Sequence, residues 1–112
     1  MTFTITVSEL GGRPVVACMG ELDAHASPEL ASVLVPLTSR PGCHPIVDLS
    51  GVDFLDSTGL GVFVTALKHV REMDGSLDVV VSSERVLRVF QLTGLDVVIP
   101  LHETLDAAIA HS

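Results

Sequence analysis

The residues best suited to chemistry lie in one short segment, residues 56–59, where a carboxylate and two hydroxyls precede a glycine. Apolar residues recur at helical spacing immediately afterwards, which predicts a long amphipathic helix. Its predicted buried face consists of Leu60, Phe63, Val64, Leu67 and Val70, with Val62, Ala66 and Met73 on a neighbouring face. Ser57 or Thr58 is predicted to cap this helix, where unpaired backbone N–H groups and the positive end of the helix dipole converge.

Two glycines at the start of this helix need an explanation. Gly59 and Gly61 each cost a helix interior about 1 kcal/mol relative to alanine. Their missing side chains would either open the helix start to close approach by another molecule or let the helix press closely on a sheet. The spacing alone supports both interpretations equally.

The segment does not match the nucleophile or nucleotide motifs of common enzymes. A serine hydrolase of the strand-turn-helix type needs a glycine two residues before its serine, where this chain has Leu55. The pair Gly59 and Gly61 lacks the third glycine of a dinucleotide fingerprint, and the sequence contains no phosphate-binding loop ending in glycine and lysine. The sequence therefore predicts no enzymatic activity and no cofactor.

Histidines and acidic residues are scattered rather than arranged as ligands. No two histidines have the His-x-x-x-His spacing of metal ligands on one helical face, so all five are interpreted as surface residues without a metal. These five are His25, His44, His69, His102 and His111. Paired catalytic carboxylates are an alternative for the acidic residues, but the chain has only four aromatic residues, all Phe, which disfavours a carbohydrate cleft. A solvated acidic rim is the preferred interpretation for Glu21, Asp23, Asp53 and Asp56.

Length and composition indicate one acidic domain. The 112 residues, interpreted as a single domain spanning 1–112, suffice for one sizeable core. The net charge of -8 disfavours nucleic acid and favours a basic protein partner. No apolar run reaches the ~18 residues of a membrane span, and the N-terminus lacks the basic start of a signal peptide. We therefore expect a cytoplasmic protein that does not insert into a membrane, with Cys18 and Cys43 as free thiols.

The predicted elements alternate between strands and helices. Strands are predicted at 2–8, 13–20, 46–49, 77–82 and 97–99, and helices start at Ser27, at 57–58, at 82–83 and near Leu105. Ser50 and Gly51 are predicted to end the third strand, and Gly94 is predicted to end the third helix. This order predicts an α/β fold in which four helices cover a mixed five-strand sheet that begins with an antiparallel hairpin.

Four segments together resemble one protein family. They are GELD at 20–23, VDL at 47–49, VDFLDSTGLG at 52–61 and LTGL at 92–95. In this order they are similar to the STAS-domain anti-sigma factor antagonists of bacteria, and the resemblance covers essentially the whole chain. It implies a STAS-like fold of four helices against a mixed five-strand sheet, in agreement with the predicted order of elements.

The resemblance also implies a regulatory switch. In that family the serine directly after the aspartate is phosphorylated by a GHKL-type serine kinase that is also the anti-sigma factor, and a serine phosphatase reverses the modification. On this chain the implied phosphorylation site is Ser57, with Thr58 as a less favoured second acceptor, and Asp23 is implied to contact the partner. The implied partner-binding surface comprises Asp23, Asp56, Ser57, Thr58, Gly59, Leu60, Gly61 and Val62. The expected function is to bind the kinase, release a sigma factor, and lose this binding on phosphorylation.

Two alternatives keep the fold without this switch. One is a STAS accessory subunit of a membrane lipid or anion transporter, which needs no phosphorylatable serine. The other is a nucleotide-binding STAS module. Transfer of one phosphate to Ser57 by a serine kinase would favour the switch, whereas ATP loss caused by the chain alone would favour the nucleotide-binding module.

Overall fold

Five strands form one mixed sheet in which the spatial order follows the chain. The computed structural model describes residues 3–111, so Thr2 of the predicted first strand lies outside the described residues. The strands are β1 (Thr4–Leu10), β2 (Arg13–Leu22), β3 (Ile46–Leu55), β4 (Asp78–Val80) and β5 (Leu101–His102). The helices are α1 (Ser27–Leu37), α2 (Ser57–Glu72), α3 (Glu84–Thr93), α4 (Leu95–Val98) and α5 (Leu105–Ala110). None of these helices is long and apolar enough to cross a lipid bilayer.

The pairing of the strands confirms the predicted α/β fold. β1 and β2 form an antiparallel hairpin, and β2 to β5 pair in parallel. Alternate residues of the inner strands belong to two separate apolar clusters, because successive side chains of a strand point to opposite faces of the sheet. One cluster joins Val16, Val47 and Val79 to the buried residues of α1, α2 and α3, and the other joins Val15, Ile46 and Val80 to Ala108 of α5.

The third strand is longer than the sequence predicts. β3 continues through Ser50 and Gly51 to Leu55, so the predicted break at these two residues is wrong. A Cβ at Gly51 would come within 2.8 Å of the Met19 side chain and 3.0 Å of the Cys18 carbonyl oxygen on β2. The glycine therefore admits the neighbouring strand instead of ending β3.

The predicted last strand at 97–99 is also wrong. Gly94 ends α3 as predicted, in the left-handed conformation with φ 78°, and α4 begins immediately after it. The Ile99 N–H then bonds to the Leu95 carbonyl oxygen at 2.8 Å, which closes the helical turn formed by Leu95–Val98. The fifth strand is instead Leu101–His102, and with α4 the residues that the structure describes form five helices rather than the predicted four.

Two predictions of burial are wrong. Val64, assigned to the buried face of α2, is 50% exposed. The buried residues of α2 are Gly59, Phe63, Ala66 and Val70. The small residues Gly59 and Ala66 let the helix approach the sheet on this face. His102 is not a surface residue, since its side chain is 12% exposed and lies against the carboxylate of Asp78.

The two cysteines are free and buried, which confirms the prediction of free thiols. Burial, together with the nearby charge of Asp48, raises the pKa of the Cys18 thiol to about 12. This thiol therefore stays protonated and unreactive at neutral pH.

Candidate functional site

The site begins where two parallel strands end side by side. Leu22, the last residue of β2, lies opposite Leu55, the last residue of β3. Asp23 and Asp56 follow directly, and the Asp56 N–H bonds to the Leu22 carbonyl oxygen at 3.4 Å. The carboxyl ends of parallel strands meet at one edge of a sheet, so this register brings the two predicted acidic residues together.

Asp56 is the N-cap of α2, so the prediction that Ser57 or Thr58 caps this helix is wrong. Its backbone is extended, and its Oδ1 accepts the N–H groups of Thr58 at 2.9 Å and Gly59 at 3.2 Å. The Thr58 hydroxyl also donates to this oxygen. The hydroxyl and the two N–H groups hold the pKa of Asp56 below its ordinary value, against the opposing effect of desolvation.

Asp23 organises the loop that leads into α1. Its Oδ1 accepts the N–H groups of His25 at 3.0 Å and Ala26 at 2.9 Å, and its carbonyl oxygen accepts the hydroxyl of Ser27 at 2.7 Å. The helix starts at Ser27, as predicted, and this residue is buried. Its N-cap position is occupied by Ala26, whose side chain cannot accept a capping hydrogen bond. Within residues 3–111 the Oδ2 of Asp23 accepts no hydrogen bond, so half of this carboxylate stays available to a partner.

A pair of hydroxyls joins the starts of α1 and α2. The Ser27 Oγ lies 3.0 Å from the Thr58 Oγ1. The Ser27 hydroxyl also contacts the Asp23 carbonyl oxygen, and the Thr58 hydroxyl also contacts the Asp56 carboxylate. The two hydroxyl protons are therefore shared among three contacts. Thr58 is therefore held within a polar network between the two helices.

Ser57 differs from its neighbour in this respect. It is the first residue of α2 and is exposed. Its hydroxyl makes no hydrogen bond to any of the described residues, whereas that of Thr58 is engaged with Asp56 and Ser27. Access to the Ser57 hydroxyl therefore requires no hydrogen bond within the described residues to break.

The two glycines of α2 have different roles. A Cβ at Gly59 would lie 2.5 Å from a methyl group of Leu55 and 3.1 Å from the carbonyl oxygen of Leu22. A Cβ at Gly61 would meet no described atom within 4 Å. Gly59 therefore lets the helix press on the sheet, while Gly61 leaves exposed backbone open to approach, so each of the two interpretations applies to one glycine.

A groove lies beside this site, between α1 and α2. Its volume is about 360 Å³, and Thr58, Gly61 and Val62 line it together with residues that the resemblance did not include. The additional residues include Leu34, Val35, Thr38, Ala66 and His69. Leu60 is half-buried and packs against the main apolar cluster. The helical periodicity of α1 and α2 signals the apolar members of this groove, but the distance between the helices is set only by their packing.

Comparison with known proteins shows the family of this chain. A model of the STAS domain family matches residues 4–108. The anti-sigma-B factor antagonist of Staphylococcus epidermidis is 47% identical over 77 residues, which cover 68% of this chain and 70% of that protein. The protein of the same name from Bacillus subtilis is 38% identical over 101 residues, which cover 90% and 92%.

A solved structure supports the same conclusion. The crystal structure of an anti-sigma factor antagonist from Mycobacterium paratuberculosis superimposes with a TM-score of 0.87 at 32% identity, over 97% of this chain and 92% of that one. The chain therefore belongs to the STAS domain family. Its relatives named above are anti-sigma factor antagonists, which confirms the resemblance drawn from the four sequence segments.

The roles of the two glycines lead to opposite stability changes. Gly59→Ala should lower the free energy of unfolding by about 1–3 kcal/mol, because its methyl group would overlap the Leu55 side chain at the end of β3 and crowd the Leu22 carbonyl oxygen at the end of β2. Gly61→Ala should raise it by up to about 1 kcal/mol, because alanine is the better helix former and finds open space. Urea denaturation of both variants measures the difference. Equal destabilisation by the two alanines would contradict these assignments.

The cap formed by Asp56 predicts a dependence on pH. Asp56→Ala should lower the free energy of unfolding by about 1 kcal/mol at neutral pH, because two N–H groups lose their acceptor. The folded protein holds the pKa of Asp56 below its ordinary value of 3.8, so the charged cap stabilises the fold above that pH. The difference between parent and variant should therefore be constant near neutrality and shrink as the pH falls from 3.8 through the lowered pKa.

Asp56→Asn is the matched control for this experiment. Its amide oxygen keeps an acceptor for the cap without a titrating proton, so its difference from Asp56→Ala should not change with pH. Denaturation curves of all three proteins at several pH values give both comparisons. A parent-to-alanine difference that grows on acidification would refute the role of the ionised cap.

Proposed function

We propose that this chain is a cytoplasmic anti-sigma factor antagonist that binds an anti-sigma factor and thereby releases a sigma factor. The anti-sigma factor is a GHKL-type serine kinase, and phosphorylation of Ser57 ends the interaction until a serine phosphatase restores it. The names of the relatives support the binding of an anti-sigma factor. The observation that carries the phosphorylation switch is the exposed hydroxyl of Ser57, which bonds to none of residues 3–111, beside the engaged hydroxyl of Thr58.

The transfer needs only an accessible oxygen from this chain. The Oγ of Ser57 forms the bond to the γ-phosphorus of ATP while the bond to ADP breaks, and the hydroxyl proton passes to a base of the kinase. Thr58 would first have to leave Asp56 and Ser27. This difference supports Ser57 as the acceptor over Thr58.

The phosphate changes the charge of the implied partner-binding surface rather than the fold. It adds about -1.5 to -2 charges at pH 7 at the first residue of α2, where the helix dipole favours an anion. The N–H groups of Thr58 and Gly59 already bond to Asp56, so the phosphate does not replace the existing cap. The added charge stands beside the carboxylates of Asp56 and Asp23 and must be desolvated when a partner docks. Binding should therefore fall while the fold survives.

This surface fits a partner that presents an apolar side chain flanked by basic residues. Asp23 and Asp56 mark the acidic side, and the groove with Gly61 and Val62 offers the apolar side. The chain as a whole carries a net charge of -8, which favours approach by a basic protein. An apolar side chain seated near Gly61, with a basic residue reaching Asp23, fits both features.

The first functional prediction concerns phosphorylation. Incubation with the cognate kinase and ATP should add one phosphate to the parent and to Thr58→Val, and none to Ser57→Ala, as measured by intact mass and peptide mapping. The chain with ATP alone should keep its mass and leave ATP intact. Phosphate on Thr58 in the parent, or ATP loss without kinase, would contradict the proposal.

Variants of Ser57 also test the effect of phosphorylation on the affinity for the kinase. Calorimetric titration with the kinase and ADP should give similar affinities for the parent and Ser57→Ala, and at least about tenfold weaker binding for the phosphorylated parent, because the phosphate must be desolvated beside the carboxylates of Asp56 and Asp23 when the partner docks. Ser57→Asp should lie between them, since one carboxylate carries less charge than phosphate. Equal affinity of the phosphorylated and unmodified forms would show that Ser57 is not the off-switch.

A further prediction tests the role of Asp23. Asp23→Asn keeps the Oδ1 acceptor for the N–H groups of His25 and Ala26, so stability should barely change. Association with the kinase should weaken several-fold at low salt, mainly through a slower on-rate, and the difference should shrink as salt screens the charge.

Asp74→Asn is the control for this substitution. It removes the same charge from a turn after α2, at a residue with φ 56° that asparagine also tolerates. Its on-rate should stay closer to that of the parent. If both variants slow association equally, net charge rather than a contact at Asp23 controls the rate.

A further inference from the structure

Four polar side chains converge at the opposite end of the sheet from Ser57. Asp78 is the first residue of β4 and pairs with Ile46, the first residue of β3, whereas Asp56 follows the last residue of β3. Asp78 is 1% exposed, although it is a carboxylate. Arg13, His102 and His111 surround it. These residues belong to four separate parts of the chain and have no role in the switch proposed above.

Arg13 fixes the orientation of this carboxylate. Its guanidinium donates to the Asp78 Oδ2 at 2.6 Å, and it also donates to the carbonyl oxygens of Ala108 at 3.1 Å and His111 at 2.9 Å. Burial raises the pKa of Asp78, but Arg13 and the two imidazoles outweigh it and keep that pKa below its ordinary value. The carboxylate is therefore ionised, with Oδ2 held by Arg13 and Oδ1 turned to the histidines.

Both histidines meet the same oxygen. The His102 Nε2 lies 2.8 Å from the Asp78 Oδ1, and the His111 Nδ1 lies 2.9 Å from it. The two nitrogens and the oxygen all lie within 4.8 Å of one another. Two imidazoles and one carboxylate oxygen at this separation match the donors and the size of a zinc site with three protein ligands.

We propose that Asp78, His102 and His111 bind one Zn²⁺ ion. The donor set selects a first-row transition metal, since Ca²⁺ and Mg²⁺ prefer oxygen ligands alone. His111 has a side chain that is 54% exposed, so the ion has an entry path and a fourth position open to solvent. Arg13 acts as the residue that orients the carboxylate, the role that outer hydrogen bonds play around many metal ligands.

The charges at the site are compatible with one divalent ion. The negative charge of Asp78 and the positive charge of Arg13 cancel one another. A bound divalent ion would therefore give the site two positive charges, which solvent at the open position can hydrate. An ionised Oδ1 only accepts, so the His102 Nε2 and the His111 Nδ1 carry the protons of these two hydrogen bonds, and each proton would have to move to the other ring nitrogen or leave to solvent. The ion would take the two lone pairs that this frees. It would thereby join β4, β5 and the residue after α5.

Zinc titration of the whole chain, without an affinity tag, tests this proposal. After treatment with EDTA and desalting, the protein is titrated with zinc sulfate by calorimetry, and its thermal midpoint is measured with and without zinc. We expect one zinc per chain and a midpoint raised by several degrees, because a ligand of the folded state stabilises it by mass action. Cobalt chloride should give the visible absorption of a tetrahedral site.

Histidine variants assign the ligands. His102→Gln and His111→Gln should each weaken zinc binding by at least about tenfold and abolish most of the rise in midpoint. His25→Gln removes an exposed histidine outside the cluster and should bind zinc as the parent does. Circular dichroism verifies that each variant is folded, and the exposed position of His111 makes its variant safe in this respect. The proposal is overturned if the parent shows no saturable binding at micromolar zinc, or if the double variant of His102 and His111 binds zinc like the parent.

Discussion

The parallel pairing of β2 with β3 is the constraint on which the candidate site depends. The register that sets Leu22 opposite Leu55 makes both strands end together, so that Asp23 and Asp56 start two neighbouring connections. This pairing requires β3 to run past Gly51, where a side chain would collide with β2. If β3 ended at Gly51, it would lack the pairing of residues 52–55 with β2 that brings Asp23 and Asp56 to one edge of the sheet.

The start of α2 separates the structural role of one residue from the reactivity of the next. Asp56 supplies the cap, and Thr58 is held between Asp56 and Ser27. The Ser57 hydroxyl is therefore not needed to complete the helix, although it stands at the same terminus. A modification at such a hydroxyl alters the charge of the surface without removing a hydrogen bond that stabilises the fold, which is what a reversible switch requires.

At the other end of the sheet, a charged side chain is buried. An ionised carboxylate is costly to bury unless it is paired and hydrogen-bonded. Asp78 meets this condition through Arg13 and two histidines, and among the described residues no buried side-chain nitrogen or oxygen lacks a partner. Arg13 also holds carbonyl oxygens at the end of α5, so the buried pair fixes that helix on its face of the sheet.

The sequence by itself determined the alternation of strands and helices as far as α3, the N-terminal hairpin and the position of Ser57 at a helix start, because these follow from local periodicity and from turn residues. Only the tertiary structure decided which residue caps that helix, because the pairing of β3 with β2 continues to Leu55 and leaves Asp56 as the first residue outside the sheet. It also decided that Gly51 continues a strand, because the reason is its neighbour Met19 on another strand. The cluster of His102 with Asp78 joins residues 24 positions apart, and no local pattern encodes such a contact.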